Sequence, residues 1–216
     1  MVKLVIASHN PKKIAELRTL VQGSGLDMSA GDIVSASDLG VAEPVEDGAT
    51  FEENASIKAR AIFEQTGYAA LADDSGLIVN ILMGAPGVLS ARWSGKHGDD
   101  KANNQLLLNQ LEGLPDVLRK AHFVTTCALV WRDSSGSVKE AVVHGKMHGE
   151  IIREARGDKG FGYDAIFVPS AYAGSDLEGL TSAELTPDQK NSISHRAKAL
   201  QKILPHIGTI RYAYST

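Results

Sequence analysis

Two pairs of acids, Glu46-Asp47 and Asp73-Asp74, and two lysines, Lys13 and Lys58, carry the clearest chemical potential in the chain. Along an extended backbone neighbouring side chains face opposite ways, so one acid of each pair can enter a shared site. Two carboxylates, with the remaining positions left to water and phosphate oxygens, suit a hard cation such as Mg2+. The plain alternative is solvated loop acids, which accounts comfortably for Asp47 and also for Asp73. It fits Asp74 less well, because Asp74 follows the apolar run "YAALA" and precedes Ser75-Gly76 and a second apolar stretch. A carboxylate at the mouth of a core strand needs a partner, since a desolvated charge without one is costly.

Three further segments offer partners. In "SHNPKK" a strand runs into a helix N-terminus, where backbone amides and the helix dipole attract phosphate. Ser8 and Asn10 add short polar groups and Lys13 a charge. Pro11 removes one amide, and the glycines of a P-loop are absent. An ordinary capped helix with exposed lysines explains the same residues. Asn54 and Lys58 stand four apart on a helix and therefore share a face, although a solvated lysine is the simpler account. "GDKGFGYDA" holds a GxGxxA string, but a strand follows it, so the dinucleotide fingerprint fails its structural condition. A glycine loop presenting Phe161 and Tyr163 to a flat base fits better, and competes with a tight turn whose aromatics are core. In "TPDQKNSISHRAKALQKIL" a helix starts either at Thr186, with a capping box to Gln189, or at Ser194. The later start is preferred, because it brings His195 and Arg196 into one first turn. An exposed basic helix is the alternative. His144 and His148 lack the HExxH pattern and sit among glycines and strand residues, and no GxSxG elbow is present, so a zinc pair and a serine hydrolase are both set aside.

The elements that must position these groups are legible in outline. "VKLVIA" at 2–7 reads as a strand feeding a helix with Asn10 as N-cap, Pro11 in its first turn and Gly23 as stop. A short extended stretch at 33–39 and the acidic loop "EPVEDG" lead to a helix opened by the Thr50/Glu53 capping box and closed by Gly67. The aspartates then end the "YAALA" run, and a separate strand is expected at 77–82. A helix follows at "DDKANNQLLLNQLEG", then strands at "HFVTTCALVWR" and "VKEAVVHGKMHGEIIRE" joined through "DSSG", and a short strand in "FGYDAIFVP". Residues 170–182 have loop composition, and the last helix runs to about 204. The sum is an α/β fold with a twisted mixed sheet and flanking helices, arranged as one domain of two lobes around a cleft.

Composition sets limits on partners. A chain of 216 residues with net charge −4 has no basic field for a nucleic-acid polymer, so a bound anion is small and held locally. No apolar stretch reaches membrane-spanning length, and no signal peptide is read at the N-terminus. The single Cys127, within an apolar strand, reads as a buried thiol suited to a reducing cytoplasm.

Taken in order, "SHNPKKIAEL", "TFEENASIKA", "LADDSGL", "GAPGVLSARWSG", "GFGYDAIF" and "AELTPDQKNSISHRAKAL" resemble the inosine triphosphate pyrophosphatase family, from about residue 2 to 204. The resemblance implies an elongated two-lobed α/β fold, usually a homodimer. It implies Mg2+-dependent hydrolysis of ITP, dITP and XTP to the monophosphate and pyrophosphate. Ser8, Asn10 and Lys13 match the phosphate-binding stretch, completed by Glu16; His9, Pro11 and Lys12 lie within that substrate-binding stretch, His9 and Pro11 as departures from the motif. Glu46 and Asp74 match the metal carboxylates, with Asp74 also the base. Lys58 matches a triphosphate-binding lysine and Ser75 a substrate contact. Phe161, Gly162, Tyr163 and Asp164 match the base-binding loop, while Lys190, His195 and Arg196 match residues near base and phosphates. Val45 stands where relatives often carry an acid, and "SAYAGSDLEGL" is longer than the usual link. A Maf-like pyrophosphatase for other nucleotides, or a non-catalytic nucleotide-binding module, are the competing expectations.

Overall fold

The computed structural model describes residues 4–26 and 28–210, with only the backbone described at Ala30, so residues 2 and 3 of the expected first strand lie outside it. Among the described residues, six strands form one mixed sheet: β1 (Leu4–Ile6), β2 (Ile33–Ser35), β3 (Ala69–Val79), β4 (Lys120–Arg132), β5 (Val138–Ile151) and β6 (Phe167–Pro169), in the order β2-β1-β3-β4-β5-β6. Five α-helices among the same residues accompany them: α1 (Pro11–Gln22), α2 (Phe51–Thr66), α3 (Asp100–Gln110), α4 (Pro187–Ile193) and α5 (His195–Thr209). The chain divides into two compact units, and β3, β4 and β5 each run from one unit into the other.

The first unit comprises residues up to Asp74, Thr125–Gly145 and the segment from Ala197. Here β1 pairs in parallel with both β2 and β3. Its alternation decides the layering. Leu4 and Ile6 join Leu71, the α1 residues Ile14, Leu17 and Val21, and the α5 residues Leu200, Ile203 and Ile207 in one apolar cluster. Val5 and Ala7 face the other way, into a cluster with Ala70, Ala72 and the α2 residues Ala55, Ala59, Ile62 and Phe63. Helices therefore cover both faces of these strands, as parallel strands require. The caps form as their residue types dictate. Asn10 caps α1, and Thr50 and Glu53 form a full capping box on α2, which Gly67 ends at φ 72°.

In the second unit, Ser75–Val124 with Lys146–Arg196, Leu77, Leu107, Leu111, Phe123, Met147, Tyr163 and Phe167 form the core. Arg119 is buried there, and its guanidinium donates to the carbonyls of Leu111 (2.6 Å), Ile151 (2.7 Å) and Ile152 (2.8 Å), so its charge is met by peptide dipoles. β6 lies antiparallel to β5, with Gly149 opposite Pro169.

The structure departs from the sequence reading in several places, of which three concern the longer elements. Instead of a run ending in aspartates and a new strand at 77–82, β3 is one strand of 11 residues with Asp73 and Asp74 in its middle. Lysines meet both acids, so the pleat continues through them. The two competing helix starts are both used: Thr186 caps the short α4 with a box to Gln189, Ser194 is extended at ψ 149°, and α5 begins at His195. Finally, α5 continues through Pro205 to Thr209, past the expected end near 204, with Ile207 and Ile210 buried beyond the proline.

One packing constraint is directly testable. A Cβ on Gly149 would run into the Val168 carbonyl oxygen and the Phe167 ring across the β5–β6 pair. Gly149→Ala is expected to destabilise the protein by about 1–3 kcal/mol, read as a lower urea midpoint at unchanged slope. An unchanged midpoint would contradict this packing.

Candidate active site

The first group of polar residues lies wholly within the first unit. Strand β3 delivers Asp73 and Asp74, exposed by only 2% and 8%. Successive strand residues point to opposite sides, and each acid meets its own lysine. Asp73 lies 3.2 Å from Lys13 Nζ on the first turn of α1. Asp74 lies 3.8 Å from Lys58 Nζ in the middle of α2, and its other oxygen accepts from Asn54 Nδ2 at 3.3 Å. Asn54 and Lys58 share one helix face by their four-residue spacing. Lys58 Nζ also lies 3.1 Å from Glu46 on the acidic loop. Glu46 and Asp74, distant in sequence, therefore converge on one ammonium, and their separation is bounded by the sum of those two distances.

The acidic loop is tied down from both sides. Asn54 Oδ1 accepts from Gly48 N at 2.9 Å, close enough that a Cβ on Gly48 would strike Asn54 and Glu53. His9 holds the loop's start, with Nε2 3.0 Å from the Val41 carbonyl and Nδ1 3.7 Å from Glu43. Asp47 is exposed, as the solvated alternative expects. Asp73 is not: that reading is corrected, because α1 supplies Lys13 as its partner.

At the β1–α1 turn, Ser8 is buried and its Oγ accepts from Asn10 N at 3.2 Å. Asn10 Oδ1 accepts from the amides of Lys12 (3.0 Å) and Lys13 (3.3 Å). Two of the amides a phosphate would use are thus engaged by the cap itself, while Pro11 and Lys12 lie exposed beside it.

The electrostatics follow from burial and neighbours. Burial opposes the Lys58 charge, but Asp74, Asp73 and Glu46 more than offset it and lift its pKa above the ordinary value of 10.5. Burial also raises the Asp74 carboxyl above 3.8; Lys58 and Lys13 pull it down, and Glu46 and Asp73 push it up. The acidity of Asp74 is thus set by burial, which disfavours its charged form, against the two lysines, which favour it.

The second group lies within the second unit and is built on the glycine loop. Gly160 and Gly162 adopt φ of 77° and 62°. A Cβ on Gly160 would collide with the Asp164 carboxylate, so glycine is required there twice over. Buried Asp164 accepts from Phe161 N at 2.9 Å and from Lys190 Nζ at 2.6 Å. Lys190 Nζ and the Arg196 guanidinium carbon stand 5.3 and 5.8 Å from the centre of the half-buried Phe161 ring. Arg196 Nη2 also reaches Ser75 Oγ at 3.4 Å. His195 is buried and stacks on Phe123, with centroids 4.9 Å apart and planes at 11°.

Tyr163 does not join Phe161 as an exposed ring. It is core: its hydroxyl donates to the Ser90 carbonyl at 2.9 Å, and burial, then Asp100, push its pKa upward. The turn's second positive-φ glycine sends that ring inward. Asn54 and Asp73 are the site groups that sequence reasoning underweighted. Asn54 was visible through its spacing to Lys58; Asp73 was hidden by the expectation of a loop.

Comparison with known proteins places the chain. A model of the Ham1 family matches residues 4–206. A relative from Mycolicibacterium paratuberculosis named dITP/XTP pyrophosphatase is 50% identical over 214 residues, 99% of each chain. Another of that name, from Corynebacterium diphtheriae, is 47% identical over 99% of each. The crystal structure of a nucleoside-triphosphatase, dITP/XTP pyrophosphatase, from Mycobacterium abscessus superposes with a TM-score of 0.72 at 50% identity, covering 95% of this chain and 100% of that one. A HAM1 protein from Coxiella burnetii gives 0.79 at 40% identity over 96% and 98%. With sequence model, relatives and fold in agreement over nearly its full length, the chain belongs to the Ham1 family.

Proposed function

We propose that this protein hydrolyses non-standard purine nucleoside triphosphates (dITP, ITP and XTP) to the monophosphate and pyrophosphate, with Mg2+ as cofactor. The names of its relatives support the reaction, and the observation that carries the site assignment is the meeting of Glu46 and Asp74 on one buried ammonium. Two carboxylates already arranged around a cation, with a side-chain amide holding one of them, are a donor set that fits a hard divalent ion. Among the described residues no group of three or more His, Cys, Asp or Glu side chains forms a metal cage. A hard cation held by two carboxylates keeps waters and takes substrate phosphates as its remaining ligands. When bound, such an ion neutralises phosphate oxygens and acidifies a nearby water.

The chain's own residues supply the rest. Asp74 orients the attacking water and accepts its proton as the oxygen closes on the α-phosphorus. The bond from that phosphorus to the bridging oxygen breaks, and pyrophosphate carries the electron pair away. Lys13, Lys58 and the Ser8–Asn10 turn neutralise the charge gathering on the leaving group. The Phe161 ring supports the base, and Arg196 and Lys190 offer donors to the 6-keto oxygen that hypoxanthine and xanthine carry. Adenine would present an amino group there, leaving donor against donor. A mismatch of that kind in a dry site is worth about 10⁴–10⁵ in selectivity. His195 is the first residue of α5, buried against Phe123 and next to Arg196 in the chain. A homodimer and a cytoplasmic location complete the proposal, resting on the family resemblance; no helix among the described residues is long and apolar enough to cross a membrane.

Incubation with Mg2+ and ITP, dITP, XTP, ATP or dTTP, with identification of the phosphate product, tests the reading. Pyrophosphate is expected from the first three, with kcat/KM at least about 10²-fold above that for ATP and dTTP. Asp74→Asn is expected to fold normally and lose roughly 10³-fold in kcat. Orthophosphate as product, equal rates on all five, or an active Asp74→Asn variant would count against it.

The shifted carboxyl makes a second prediction. Because Asp74 holds its proton above 3.8 in the folded state, its contribution to stability is present below that pH and is lost as pH rises through the folded value. In metal-free protein the Asp74 carboxyl, followed by carbon NMR, should titrate above 3.8, and Mg2+ should move the midpoint down. A metal-free midpoint at or below the ordinary carboxylate value would refute the electrostatic description.

A further inference from the structure

Asp100 and Asn104 lie outside every group so far assigned to the site, yet both reach the backbone of the glycine loop. Asp100 is the first residue of α3; Asp99 caps the helix by accepting from Ala102 N, so the Asp100 carboxylate is not needed for capping. It accepts instead from Gly162 N at 2.7 Å. One turn along, Asn104 donates from Nδ2 to the Gly162 carbonyl at 3.1 Å. Residues four apart stack on one helix face, so α3 grips both polar groups of a single peptide residue from one side. Gly162 itself sits at φ 62°, a left-handed conformation that glycine adopts without the cost a side chain would bring.

The residue beside it is Phe161, whose amide is held by Asp164. Its ring meets both Lys190 and Arg196. The loop is thus fixed on one side of Phe161 by Asp164 and on the other by α3. We infer that Asp100 and Asn104 are positioning residues that set the orientation of the Phe161 ring and thereby the affinity for the purine base. They touch neither base nor phosphate in this account; they act through Gly162. The inference rests on the proposed role of Phe161 as the support for the base. The chemistry at phosphorus is left alone, so the effect belongs in KM and not in kcat.

The test uses the full chain in two arms. Steady-state kinetics with ITP and Mg2+ are measured for wild type, Asn104→Ala, Asp100→Ala and Asp100→Asn. Both alanine variants should raise KM about tenfold, the scale of one lost hydrogen bond to a charged or dipolar partner, with kcat within about twofold. Asp100→Asn, which still offers an acceptor to Gly162 N, should recover most of the loss. In the second arm, fluorine NMR of protein carrying 4-fluorophenylalanine is recorded without nucleotide, with the Phe161 signal assigned by its absence in Phe161→Leu. The Phe161 resonance should shift or broaden in both alanine variants while the Phe63 resonance stays in place, which separates a local effect from loss of fold. An unmoved Phe161 signal in folded variants overturns the clamp, whatever the enzyme's substrate proves to be. Unchanged KM, or a fall in kcat equal to the rise in KM, overturns its link to base affinity. A wild-type enzyme inert toward ITP refutes the proposed function and leaves the fluorine result to decide the clamp.

Discussion

A strand can carry two consecutive aspartates through a buried region only if positive charge reaches both of its faces. Here α1 brings Lys13 to Asp73 and α2 brings Lys58 to Asp74, and this pair of ion pairs is the constraint on which the first unit depends. Desolvation makes each buried charge expensive, and removing one partner of such a pair is far more damaging than never having built it. The placement of both helices follows: α1 must start where β1 ends, and α2 must present Asn54 and Lys58 on the side turned to β3. The capping box at Thr50 and the Asn10 cap hold those helix starts in register. Lys58 also draws Glu46 out of an otherwise solvated loop, so one ammonium assembles two acids that lie far apart in the chain.

The second unit solves a different problem by similar means. Asp164 is buried and shared between a backbone amide and Lys190, and the same lysine stands over the ring of Phe161. An aromatic face attracts cations through its quadrupole, while the carboxylate beneath fixes where the cation sits. The glycines matter because two left-handed conformations, costly for most other residues, let the backbone fold tightly beside that carboxylate. Polar groups near Phe161 are thus held before any ligand arrives, which is the condition for selectivity by mismatch.

Much of this was legible in the sequence, and the reasons are physical. Helix starts were readable because capping is local: Asn10, Thr50 and Thr186 each bond amides two or three residues away. The pairing of Asn54 with Lys58 was readable from helical spacing, and the mixed sheet from alternation within the longer strands. The course of β3 was not, since Asp-Asp-Ser-Gly looks like a turn until Lys13 and Lys58 are brought in from other elements. For the same reason Asp73 was read as solvated. Tyr163 and Phe161 were indistinguishable in type and spacing; only the reversal at Gly162 separates a core ring from a half-buried one. The break at Ser194 was ambiguous because both flanking segments carry valid start signals, and the fold uses both.

Direct titration of a divalent ion decides whether the acids assembled by Lys58 do what their geometry suggests. Unbound Mn2+ counted by electron paramagnetic resonance, against wild type, Glu46→Gln and Asp74→Asn, reads that property without reference to turnover. Both single substitutions should weaken binding by about tenfold or more, as expected for loss of a ligand or its support. Equal affinity in all three proteins would mean that Glu46 and Asp74 share an ammonium and nothing else.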